Sequence, residues 1–305
     1  GDNNLRMQEK EGVITLSGSD GFSVAFSKTT GFLNSLKYND KELVVKGFTP
    51  NFWRPLTDND VANGTLARCG IWKNVEKDMK LLNFAVHSEK GQHIQITANY
   101  KLERQNSLLD IIYHITSKGE IKVSMNFVPG KVALPEIPRF GIYFIVTDEY
   151  ENFAWFGRGP HENYADRKTS APVGIYQSTV WEQYHPYIRP QETGNKCDVR
   201  WMSFRDNRGK GILIKGERPL SASAWNFSQG DIDYIPYDIE RKHGGSIEKR
   251  DFIWINIDNA HMGVGGDNTW GAQVHPEYTI TPNPMSYSFT ICPIDNNSDL
   301  LSKTR

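Results

Sequence analysis

Trp270 stands in the run His261-Met-Gly-Val-Gly-Gly-Asp-Asn-Thr-Trp-Gly-Ala-Gln-Val-His-Pro276, whose residue types suit sugar recognition. Gly263, Gly265, Gly266 and Gly271 free the backbone for conformations closed to other residues and remove side chains that would cover the ring. A flat indole suits the apolar face of a sugar, and Asp267, Asn268 and His261 supply donors and acceptors for its hydroxyls. The competing expectation is a tight sheet corner in which Trp270 plugs the core beneath it.

Hydrolysing a glycoside with retention takes two carboxyl groups about 5–5.5 Å apart, one as acid/base and one as nucleophile. Glu162, Asp166 and Glu192 are the best-placed acids, in polar loops bracketed by Gly and Pro. Arg158, Arg167 and Arg189 are close in sequence, so ion pairs and turn caps are expected there and an autonomous hydrolytic pair is not. Mutarotation asks less: one general base and one general acid, usually a carboxylate and a histidine. His161 and Glu162 are adjacent, but neighbours on a strand face opposite ways. His185, His261 and His275 become partners only through the fold.

The span 155–167 is the densest polar cluster. Arg158, His161, Glu162, Asn163, Tyr164, Asp166 and Arg167, with Arg189 and Glu192 from 186–194, form either a sugar-binding ledge or a network fixing two loops. The network is the expected outcome. Metal binding has little support, since Asp58-Asn59-Asp60 lacks the alternation and distal Glu of a calcium loop and is accounted for by caps and turns. No helix signal follows Gly263–Gly266, which argues against a nucleotide loop.

The elements that must position these groups read as strands. Period-two alternation marks 22–26, and turns at 28–31 and at Asn39-Asp40 separate it from runs at 32–33 and 43–45. Further strands are expected at 81–88, 92–104, 107–117, 120–128 and 140–147, broken by Gly91, Asn106 and Lys118-Gly119. The second half continues with 172–180, 197–206, 210–216, 219–226, 251–258 and 277–291. Helical periodicity is confined to 64–79, framing Trp72, and 230–243, which contains Pro236. A (β/α)₈ barrel needs about 250 residues with eight regular helices, so it is excluded. The expected fold is all-β: one large antiparallel sandwich over 13–294, between a polar linker at 1–12 and a polar tail at 295–305.

Composition narrows the partners. With 35 Lys and Arg against 36 Asp and Glu, the net charge of −1 and the lack of a basic block argue against nucleic acid and acidic membranes. No apolar run is long enough for a transmembrane span. Cys69, Cys197 and Cys292 have neither metal spacing nor a disulfide framework and are expected to be reduced and buried. Three Asn-X-Ser/Thr sites, at Asn63, Asn226 and Asn296, match a pattern common by chance. Gly1 in place of an initiator Met suggests a piece of something longer, so compartment is not readable. Aromatic residues, 12% of the chain, suit sheets or sugar surfaces.

Four segments in order carry a family resemblance: Phe52–Asp60, Trp155–Arg167, Pro186–Gly194 and the His261–Pro276 loop. From about residue 13 to 293 the chain resembles the C-terminal "small chain" domain of the large β-galactosidases, of glycoside hydrolase family 2 type. The resemblance implies a supersandwich of two large sheets, galactose mutarotase-like in fold. It implies that the two catalytic glutamates lie on a separate (β/α)₈ domain acting in cis, and that Trp270 lends an aromatic platform to a β-galactoside substrate. It further implies no cofactor in this chain, with any Mg²⁺ or Na⁺ of the parent held elsewhere, and it leaves a homo-oligomeric parent open. The sequence reads Asp267-Asn268-Thr269-Trp270 where Asp-Asp-Ser-Trp is commoner in the family, which changes the local hydrogen bonding and keeps the tryptophan. The alternative expectation is a free-standing carbohydrate-binding or mutarotase-like (aldose epimerase) protein.

Overall fold

The computed structural model describes residues 4–89, 92–238 and 243–303. The first sheet is an antiparallel meander of β1 (Arg6–Lys10), β2 (Val13–Ser17), β3 (Ser23–Ser27), β4 (Leu33–Tyr38) and β5 (Lys41–Glu42). Asn39 and Asp40 join β4 to β5 with φ of 52° and 61°. Two successive positive φ values match the right-handed twist of a hairpin, and Asn and Asp tolerate them.

β6 (Val44–Asn51) leads into two short helices, α1 (Asp58–Ala62) and α2 (Thr65–Cys69). Next come β7 (Met79–Glu89), β8 (His93–Leu102), β9 (Ser107–Thr116) and β10 (Ile121–Val128), a run of hairpins. β11 (Arg139–Thr147), β12 (Asn152–Arg158), β13 (Val173–Thr179), β14 (Lys196–Arg205) and β15 (Gly211–Trp225) follow. α3 (Gln229–Ile232), β16 (Phe252–His261), β17 (Met285–Ile294) and α4 (Leu300–Lys303) complete the order.

These strands form a 12-stranded sheet ordered β13-β12-β14-β15-β17-β10-β9-β8-β7, from which β16, β11 and β6 branch. The branch point is β15. Its first half, Gly211–Gly216, pairs with β17, and its second half, Ser221–Trp225, pairs with β16.

Alternation sets which face is inside. In β8, β9 and β10 every second residue is buried, and the register aligns Ile96 with Tyr113, Tyr113 with Val123, and Val123 with Phe289 of β17. Phe26 of the first sheet meets Tyr113 edge-on at 4.9 Å, and Phe48 of β6 meets Phe144 at 4.7 Å, so both layers share one core. β11 shows no alternation, since its first eight residues are all buried. One face, including Phe144 and Val146, joins the main core, while Tyr143 and Ile145 face a second cluster with Trp225 and Trp254. A strand covered on both faces must be apolar throughout.

The all-β expectation holds, and four local readings change. The polar stretch expected as a frayed linker contains β1, an exposed edge strand paired to β2 from Arg6↔Ser17 to Lys10↔Val13. The helix expected over 64–79 is α2 followed by two 3₁₀ turns, which Asn74 at φ 57° separates. The strand expected from 277 begins at Met285, because Pro282 and Pro284 withhold the N–H groups a ladder needs. The helix expected over 230–243 reduces to α3 at its start. Its residues 239–242, like Gly91, lie outside the described residues. All three cysteines are buried and free.

Candidate functional site

Of the eight tryptophans, six are buried, Trp181 is half-buried, and Trp270 is 89% exposed. Trp270 therefore does not plug a core, and the tight-corner expectation is overturned.

The loop that displays it is braced at each turn. Arg54, fully buried, grips Asp60 with Nε and Nη2, both at 3.0 Å. Its remaining donors reach the carbonyls of Met262 (2.6 Å) and Gly263 (2.9 Å) at the loop's base. Asp60 in turn closes the capping box of α1 with Thr57. Two residues on, Asp166 accepts from the backbone N–H of Val264 (3.0 Å) and Gly265 (2.7 Å). A Cβ on Gly263 would lie 2.5 Å from Asp166 Oδ2, so a side chain there would push this carboxylate away.

At the tip, Asn59 donates to the Asn268 carbonyl (3.0 Å) and accepts from Gly271 N (3.3 Å), while Asn268 Oδ1 accepts from Trp270 N (2.9 Å). Gly271 has φ +100°, and an added Cβ would sit 2.7 Å from the Cβ of Ala62. We expect Gly271→Ala to lift the tip off α1 and speed amide hydrogen exchange at 268–272 at least tenfold, with little change in the melting midpoint. Unchanged exchange would show that these contacts do not hold the loop.

Asp267 and Asn268 accompany Trp270 on the exposed loop. Asp267 takes a 2.7 Å hydrogen bond from His275, which raises the histidine's pKa above its ordinary value. His261 does not join them. It is buried, packs edge-on to the Tyr164 ring at 5.4 Å, and lies 3.4 Å from Asn195 Oδ1. Burial, with Arg139 and Arg54 nearby, holds its pKa well below the usual value, so it is a neutral core histidine. The expectation that it flanks the indole is corrected: β16 ends at His261 and carries it inward.

The span 155–167 divides. Arg158 ties Asp198 to the carbonyls of Lys168 and Ala171, and buried Asn163 straps the loop to Asn195 and Cys197, so both hold chain segments together. His161 is exposed and meets Ser170 at 3.2 Å. Glu162 turns the other way, accepting from Arg167 (2.9 Å) and Tyr187 (3.0 Å). Arg189 pairs with Asp58 at 2.7 Å. Asp58 and Asp60 thus already have guanidinium partners, and among the described residues no group of three or more His, Cys, Asp or Glu is placed to hold a metal.

Glu192 is buried 3.2 Å from Arg139, which also faces Asp258 at 3.4 Å. Burial pushes Glu192 up to about 8 and Asp258 up to about 7. Arg54, Arg139, Asp258 and Asn59 do structural work that sequence reading missed. A signal existed for two of them, since Arg139 and Asp258 are the single acidic or basic (Asp, Glu, Lys or Arg) residues of β11 and β16.

Fold and loop together define a class: an all-β supersandwich domain with an exposed tryptophan on a braced loop. The family model described as beta galactosidase small chain matches residues 18–291, and the chain belongs to that family. It is 34% identical to a β-galactosidase of Priestia megaterium, over 95% of this chain and 27% of that protein. A β-galactosidase of Halalkalibacterium halodurans is 32% identical over 88% of this chain and 26% of its own length. The chain thus spans about a quarter of the length of these curated relatives. Among solved structures it is similar to a galactose 1-epimerase from Lactobacillus acidophilus, at 9% identity and a TM-score of 0.47, covering 96% of this chain and 99% of that one.

Proposed function

We propose that this chain is the small-chain domain of a retaining β-galactosidase that releases terminal β-D-galactose. Trp270 supplies a platform for the sugar or aglycone, with Asp267 and Asn268 as its polar edge. The acid/base and nucleophile glutamates belong to a (β/α)₈ domain of the same parent, and the ligands of any Mg²⁺ or Na⁺ it uses lie outside this chain. One observation carries the reading: a large aromatic ring, 89% exposed, held by a loop braced through Arg54, Asp166 and Asn59. An exposed indole costs hydrophobic free energy unless something covers it, and a sugar face does so.

In the longer protein, Trp270→Ala is expected to lower kcat/KM for a chromogenic β-galactoside about tenfold, mainly through weaker binding, with the melting midpoint unchanged. Unchanged kinetics would remove the platform role. The 305-residue chain alone is expected to show no hydrolysis of the same substrate, and turnover that survives active-site controls would refute the division of labour.

A further inference from the structure

Beside the braced loop, segments far apart in sequence close a cleft of about 230 Å³. Asp58 and Gln191 line one side, and Glu162 and Arg167 belong to another. Thr269 lines it from the loop, while Trp270 itself does not. Tyr164 and Glu192, 1% and 2% exposed, are its most deeply buried lining residues. The Tyr164 hydroxyl and Glu192 Oε1 are both buried without a hydrogen-bond partner. Both belong to residues that line the cleft, and buried polar atoms are nearly always paired, so the two orphans call for an occupant that reaches them from it.

The lining selects the occupant's chemistry. Each ionised acid of the lining has a guanidinium partner, Asp58 with Arg189 and Glu162 with Arg167, while burial keeps Glu192 protonated and leaves Arg139 to Asp258. Local charge is therefore balanced, which favours neither a free anion nor a bare cation. Val264 is the single aliphatic side chain in the lining, and the rest of its apolar surface includes the rings of Tyr164 and Tyr187, which suit the C–H face of a sugar. What remains is a neutral molecule rich in hydroxyls. The volume lies below the roughly 300–1,000 Å³ of drug-sized sites, which fits a single ring.

We propose that this cleft binds one neutral sugar ring, whose hydroxyls meet the Tyr164 hydroxyl and Glu192 Oε1 at the floor and the Glu162 and Asp58 carboxylates at the walls. This goes beyond the platform reading, because it needs only residues of this chain and not Trp270. Burial supports it by keeping Glu192 protonated at neutral pH, with a pKa of about 8. Oε2 then accepts from Arg139 while Oε1 carries a proton to donate. Tyr164 is also held neutral, since burial raises its pKa well above the usual value.

The test is saturation-transfer NMR on the 305-residue chain, with D-galactose and D-glucose as probes and glycerol and inorganic phosphate as controls. A hexose is expected to bind saturably and the controls are not. Tyr164→Phe should weaken binding about tenfold without lowering the melting midpoint, since it deletes a hydroxyl that no protein group uses. Glu162→Gln should also weaken binding, and Trp270→Ala should leave it intact. The proposal falls if no hexose binds saturably, or if Tyr164→Phe and Glu162→Gln bind as the unchanged chain does. It also falls if Trp270→Ala alone abolishes binding, a result that would leave the platform standing. Conversely, a failed platform, seen as unchanged kinetics in the longer protein, would not alter the Tyr164→Phe result.

Discussion

An Arg54→Ala variant is expected to lose about 3–5 kcal/mol of folding stability, the usual consequence of stripping one partner from a buried ion pair. The guanidinium and the Asp60 carboxylate are almost wholly inaccessible, so the stranded carboxylate would have no water to turn to. The loss spreads, because the same side chain satisfies the carbonyls of Met262 and Gly263. Asp60 would also loosen as the capping partner of Thr57. Lysine would not substitute, as a point charge cannot span two carboxylate oxygens and two carbonyls at once. Urea unfolding measures the stability, and hydrogen exchange over 262–272 measures the loop. A loss under about 1 kcal/mol would show that Arg54 is not the anchor described.

The contribution of Glu192 and Asp258 to stability should fall as pH rises from about 4 to about 8, against His261, whose lowered pKa adds stability as pH climbs towards about 6.5. Glu192 and Asp258 share Arg139 in a buried site, where desolvation outweighs the arginine's pull and raises them to about 8 and about 7. In the unfolded chain both titrate near 4. Within that window the folded state holds more protons than the unfolded one, so stability is full at the acid end and is lost towards the alkaline end. The two acids act as a coupled pair, and together they are worth roughly several kcal/mol. Glu136, Asp198 and Asp231, lowered chiefly by Arg68, Arg158 and Arg250 against the opposing effect of burial, act the other way and lose their contribution as pH drops below about 4. Urea midpoints at about pH 5, 7 and 9 give the slope, and Glu192→Gln should flatten it. A slope that Glu192→Gln leaves untouched would contradict this account.

How much of this was legible beforehand differs by feature. The strands of 81–128 were readable because each buries one face, so period two survives in the residue types. The fork at β15 was not readable: 210–216 and 219–226 appear as two strands, and only pairing shows a single strand shared by two layers. The glycines around Trp270 allowed either a displayed or a core-plugging ring, the resemblance carried by four segments favoured display, and the bracing was not readable. Asn59 and Arg54 lie about 210 residues before the loop they hold, and no local pattern encodes so distant a hydrogen bond. His261 misled for the same reason, since a histidine at a strand's end faces in or out according to pairing alone.

The order of the large sheet has a consequence for synthesis. β10 and its partner β17 are separated by roughly 160 residues of chain. At 5–20 residues per second, β10 leaves the ribosome about 8–30 s before β17 can pair with it. During that wait β10 presents an open edge, the arrangement most prone to join a neighbouring nascent chain. Slower translation of 129–284 would lengthen that exposure, and a chaperone that shields β10 should raise the soluble yield more than one acting on the first sheet.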